Sequence, residues 1–127
     1  MKKCMFIRVL SLPLLSGGIL LTQPSLAEEF GNAIYDPKSD QIVVTIFYSG
    51  TNQNHDFTLA WDPCIRHPDG SNDVRAQLVD SQERDEARQE FNKRVHLSLQ
   101  DAPCRPATVT LHSGPRTYVA VKVPAAP

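Results

Sequence analysis

The chain is short of everything that announces a familiar chemistry. Its 127 residues include three cysteines, four histidines and one tryptophan. There is no glycine-rich phosphate loop, no His-Glu-x-x-His pair and no Gly-x-Ser-x-Gly turn. Thirteen basic residues stand against 14 acidic ones, a net charge of −1. Without a basic surplus to meet phosphates, neither nucleic acid nor an anionic membrane is the expected main partner. No apolar run reaches the roughly 20 residues that a membrane-spanning helix needs. With 41% hydrophobic and 21% charged residues, the composition is that of a globular domain and argues against wholesale disorder.

What is present begins at the N terminus. Lys2, Lys3 and Arg8 give a basic start, and Val9 to Leu21 form an apolar stretch of 13 residues interrupted by Pro13 and Gly17-Gly18. Ser25 and Ala27 then supply small residues at −3 and −1 of a cut before Glu28. Residues 1–27 therefore read as a cleaved signal peptide and 28–127 as one domain that is periplasmic or secreted, with no membrane span after cleavage. Cys4 precedes the apolar stretch, which argues against a lipid-modified cysteine. The processed chain has 100 residues, 10 basic and 14 acidic, for a net charge of −4.

Loss of Cys4 leaves Cys64 and Cys104. Two cysteines in an exported domain read as a disulfide, because those compartments permit oxidation. The bridge would close 41 residues, which the chain-entropy treatment values at about 4 kcal/mol. That is a large share of the stability of so small a domain.

The dominant period in the rest of the chain is two, the mark of strands. Gln41 to Tyr48 is the clearest: Ile42, Val44, Ile46 and Tyr48 point one way and Val43, Thr45 and Phe47 the other, as in a central strand. Further strands are expected at Asn32–Tyr35, His55–Trp61, Val74–Val79, Arg94–Leu99, Ala107–His112 and Thr117–Val123. Phe57, Leu59 and Trp61 share an inward face, and Trp61 is expected in the core. Turns fall at Asp36–Asp40, Ser49–Asn54, Asp62–Asp73, Asp101–Pro103 and Ser113–Pro115. Six to seven strands in about 100 residues predict an all-β, antiparallel, Ig-like β-sandwich. Asp80 to Lys93 breaks the pattern with seven charged residues after Asp80, and reads as a solvated loop or a single helical turn.

The functional reading follows from what converges and what does not. No acid, base and nucleophile come together along the sequence, and His55 and Asp56 as strand neighbours would point to opposite faces. The expectation is a non-enzymatic binding module without a cofactor, docking to or inhibiting a protein of the cell envelope or extracellular space. Its candidate contacts are loop residues His67, Asp69, Asn72, Glu83, Arg84, Asp85, Glu86 and Arg88. The alternative is a periplasmic metal-binding protein using His55, His67, His96 and His112. None of these lies one, three or four residues from another, so no single element offers a metal two ligands at familiar spacing. His96 and His112 fall on the polar faces of consecutive expected strands, where cross-strand neighbours approach within about 5 Å.

Tyr48-Ser49-Gly50, then His55-Asp56-Phe57-Thr58-Leu59-Ala60-Trp61 and Ala76-Gln77-Leu78-Val79-Asp80, resemble small exported bacterial β-sandwich proteins of unassigned activity. The resemblance covers about half of the processed chain and implies a fold, with no activity attached. It also implies cysteines in the turn after the first long strand and in the later polar loop. This chain has Gly50-Thr51-Asn52 and Asp85-Glu86-Ala87 there, with no cysteine in either. Mass spectrometry of protein exported from its host tests both covalent expectations. The chain should start at Glu28 and carry no free thiol; a mass retaining residues 1–27, or two titratable thiols, would overturn them.

Overall fold

The computed structural model describes residues 28–85 and 87–127; the expected signal peptide and the candidate contact Glu86 lie outside them. The chain forms eight strands: β1 (Glu29–Asp36), β2 (Gln41–Gly50), β3 (Phe57–Trp61), β4 (Ile65–Arg66), β5 (Asn72–Asp80), β6 (Gln89–Ser98), β7 (Ala107–Ser113) and β8 (Thr117–Val123). One sheet has the order β1-β2-β6. The other has the order β3-β5-β7-β8, with the short β4 paired to the start of β5. Among the described residues no helix is long and apolar enough to cross a membrane.

Alternation decides which faces meet. Ile42, Val44, Ile46, Tyr48 and Leu97 from the first sheet join Ala76, Val109, Leu111, Val121 and Val123 from the second in one buried cluster. Water is excluded between the two layers, and the fully buried Ile42, Ile46, Leu97 and Leu111 each contribute about 2–5 kcal/mol against truncation to alanine. The central position expected for Gln41–Tyr48 is correct: β2 pairs antiparallel with β1 on one edge and with β6 on the other. Its outer face is less uniform, since Val43 is covered while Phe47 remains 46% exposed.

Three expectations need correction. The sheets are not wholly antiparallel, because β5 and β7 run parallel from Asp73–Thr108 to Gln77–His112. The chain crosses to the other layer as β6 between them, so β7 returns beside β5 in the same direction. Period-two alternation is the same in parallel and antiparallel strands and cannot reveal this. The strand count is eight rather than six to seven, because the turn around Cys64 contains β4. The charged segment after Asp80 is a loop only to Arg88: β6 begins at Gln89 and pairs with Gly50.

Cys64 and Cys104 form the expected disulfide, with Cα atoms 6.0 Å apart. It joins the β3–β4 and β6–β7 connections at one end of the layers and packs with Val74, Ala107 and Trp61. At the same end Arg105 grips Asp40 with two hydrogen bonds, Nη1 to Oδ2 at 3.0 Å and Nη2 to Oδ1 at 2.7 Å. Tyr35 donates to Asp40 as well, and Arg105 Nε donates to the carbonyl of Pro124. Arg105 and Tyr35 together hold the Asp40 carboxyl down to about 2. Reducing the bridge should lower the melting temperature by several degrees or more, because the lost constraint is worth about 4 kcal/mol. Thermal unfolding followed by circular dichroism, with and without reductant, measures it; coincident curves would show that the bridge adds nothing.

Candidate functional site

Two places in this fold gather chemistry, and the first is His55, which the sequence offered as a metal ligand in the alternative reading but not as the partner of a carboxylate. His55 lies in the β2–β3 connection and is fully buried. Its Nδ1 is 2.7 Å from Asp80 Oδ2, and its Nε2 is 3.3 Å from Asp85 Oδ2. Asp80 ends β5, itself buried, and also accepts the backbone N–H of Gln82 at 2.9 Å. Asp85 accepts from Thr51 twice, from its N–H at 2.5 Å and its hydroxyl at 2.7 Å. These bonds, with that from the N–H of Ala87, hold the Asp85 carboxyl down to about 2. Tyr48 packs on the imidazole with ring centroids 5.0 Å apart, and Lys93 Nζ donates to the His55 carbonyl at 2.8 Å.

Gly50 belongs to this cluster by its lack of a side chain. A Cβ there would stand 2.5 Å from His55 Nε2 and 2.6 Å from Asp85 Oδ2, closer than unbonded atoms can approach. Thr51 and Asp85, one from each of the two places where the resemblance implies a cysteine, are thus joined by hydrogen bonds.

A neutral imidazole could donate to only one of the two carboxylates, whereas the protonated ring donates to both. Either way the ring is sealed from solvent and has no access to a dissolved substrate. What the arrangement can do is fasten the 51–56 and 81–88 connections to the end of β5. Local sequence did not show it, because the partners of His55 are 25 and 30 residues away; the pairing of β3 with β5 brings Asp80 opposite Phe57.

The other histidines do not converge. His67 pairs with Asp73 at 2.6 Å on an exposed loop. His112 packs on Tyr118 with centroids 5.7 Å apart, and burial, then the charge of Arg75, pushes its pKa down. His96 is exposed on β6. The expectation that His96 and His112 are cross-strand neighbours is incorrect, since β6 and β7 belong to different sheets. Among the described residues no group of three or more His, Cys, Asp or Glu is placed to hold a metal.

The candidate contact loops are also separated. His67 and Asp69 precede the start of β5, which Asn72 opens, whereas Glu83, Arg84, Asp85 and Arg88 follow its end. A nine-residue strand puts the two loops roughly 26 Å apart. Asp69 is occupied in its own turn by Ser71, and Asn72 donates to the carbonyl of Pro106. Asp85 is taken by Thr51 and His55. Glu83, Arg84 and Arg88 are exposed.

The second place is a groove on the flank where β3 and β6 face one another. It has a volume of about 260 Å³, with Phe57, Leu59, Trp61 and Leu97 as apolar lining and Thr58, His96, Ser98 and Asp101 as polar lining. Trp61, expected in the core, is only partly buried: it packs on both buried clusters and also lines this opening.

No protein-family model, no curated protein and no solved structure matches the chain.

The histidine cluster makes a two-part prediction. Replacing His55 with leucine leaves two carboxylates without their shared partner and should cost about 3 kcal/mol in chemical unfolding at neutral pH. The folded-state pKa of Asp85 lies below its ordinary 3.8, so its stabilisation is present above about 4 and is lost as pH falls toward 2. Asp85→Asn should therefore flatten the pH dependence of stability in that window. A slope equal to that of the unsubstituted protein would show that Asp85 is not held as described.

Proposed function

We propose that this protein is an exported, non-enzymatic binding module that docks to a protein of the cell envelope or extracellular space. The observation that carries the reading is the groove between β3 and β6. Its apolar lining and polar surround suit an apolar side chain projecting from a partner's surface. The disulfide supports an oxidising compartment, and the basic and apolar N-terminal pattern supports export to it. We take the scaffold as an Ig-like relative of small exported bacterial β-sandwich proteins, a reading supported by two facing sheets and by the stretches from Tyr48 to Trp61 and Ala76 to Asp80.

The sealed position of His55 leaves the one histidine held between two carboxylates without access to a substrate, which favours binding over catalysis. Affinity capture from envelope extract tests the proposal. The unsubstituted protein should retain a partner, Ser98→Trp should lose it by filling the groove, and Glu83→Ala with Arg84→Ala should keep it. No partner, or one indifferent to Ser98→Trp, would overturn the reading.

A further inference from the structure

The strand order leaves β6 paired on one side only, by β2. A free edge exposes a row of backbone N–H and C=O groups that another strand can complete. The remaining edges are blunted. β1 is bulged between Phe30 and Ala33 and packs against β8, covering the edge of that strand as well, while the line of β3 and β4 is broken by Pro63 and β3, half the length of β6, packs against only part of it. By contrast β6 runs ten residues with no proline, no glycine and an unbroken register against β2.

Its sequence is self-complementary in charge. On the outer face of β6 stand Glu90, Asn92 and Arg94, all exposed. Among the described residues neither Glu90 nor Arg94 has an ion-pair partner in its own chain. We propose that two copies of the chain join β6 to β6 antiparallel about a two-fold axis at Asn92, making one six-stranded sheet in the order β1-β2-β6-β6-β2-β1. This pairing runs from Gln89 to Val95 and sets Glu90 opposite Arg94 twice, once on each side of the axis. On the inner face it sets Phe91 opposite Lys93, so the lysine stem covers the ring.

Neighbouring registers are disfavoured by the same side chains. Slipping by two residues places Lys93 opposite Lys93 in one direction; in the other it shortens the pairing to Gln89–Lys93 and sets Glu90 opposite Asn92, forfeiting both ion pairs. Slipping by four places Glu90 or Arg94 opposite its own copy. Like charges directly opposite are destabilising, and slips by odd numbers turn the apolar row to the wrong face. Charges that would guard an edge against unselected pairing here select one partner, a second copy. The inference does not depend on what the groove binds.

Sedimentation equilibrium of the purified protein tests it. A dimer is expected, and a monomer at every concentration would overturn the proposal. Glu90→Arg or Arg94→Glu alone should weaken association by roughly tenfold or more, and the two together should restore it. Circular dichroism should show all three variants folded, since both positions are exposed. Asn92→Cys gives an independent reading of the register: residues directly opposite in an antiparallel pair lie within disulfide reach. This variant should form a covalent dimer on non-reducing gels that the unsubstituted protein does not form. A dimer indifferent to both charge reversals, or one that Asn92→Cys fails to cross-link, would overturn the β6 register.

Discussion

The closure of two apolar strand faces against each other is the constraint on which the rest of this structure depends. Ile42, Ile46 and Leu97 from one layer and Val109, Leu111 and Val121 from the other share a single core. Burial of this kind has no direction of its own, and it holds the layers together without fixing the connections at their ends or closing their flanks. Every other feature of the molecule answers one of those needs. A domain of about 100 residues has little stability to spare, so each closure matters.

The two ends are closed by different chemistry. At one end the Cys64–Cys104 bridge is reinforced by Arg105, which gathers the β1–β2 turn through Asp40 and the segment after β8 through Pro124. Among the described residues the other end has no covalent tie. His55 and Asp85 fasten the two long connections there by hydrogen bonds in a site largely withdrawn from water, where an unmet partner is costly. The absence of a side chain at Gly50 is what allows the imidazole and the carboxylate to meet. A histidine flanked by two carboxylates resembles catalytic equipment in outline, yet its burial and its bonding to backbone-anchoring groups make it a fastening.

The flanks differ as well. On one, β1 lies against β8, and Ser113 donates to the Glu28 carboxylate while accepting from the Glu28 N–H. Burial pushes the Glu28 carboxyl up, against the pull of that hydroxyl. On the other flank β3 is only five residues long against the ten of β6, and the gap between them is the groove. Openness therefore falls where one edge strand is too short to cover its neighbour. The strand order leaves the backbone of β6 unpaired along the same flank, so a side-chain pocket and an unpaired edge lie side by side.

Much of the fold was legible from residues alone. The alternation of Ile42, Val44, Ile46 and Tyr48, and of Val119, Val121 and Val123, marks strands and their inward faces, because a pleated strand cannot place neighbours on the same side. With Cys4 assigned to the expected signal peptide, Cys64 and Cys104 left a single pairing, which is the bridge the structure forms. Alternation carries no information about which strands adjoin or in which direction they run. The parallel contact of β5 with β7, and the assignment of His96 and His112 to different layers, are settled only when the chain crosses between sheets. The His55 cluster was hidden for a related reason: its carboxylates are distant in sequence and arrive through strand pairing. The sequence by itself determined seven of the eight strands, most of their buried faces and the bridge, all of which follow from local periodicity or simple counting. Tertiary structure alone decided which polar groups meet and where the surface stays open, because both depend on the relative placement of distant strands.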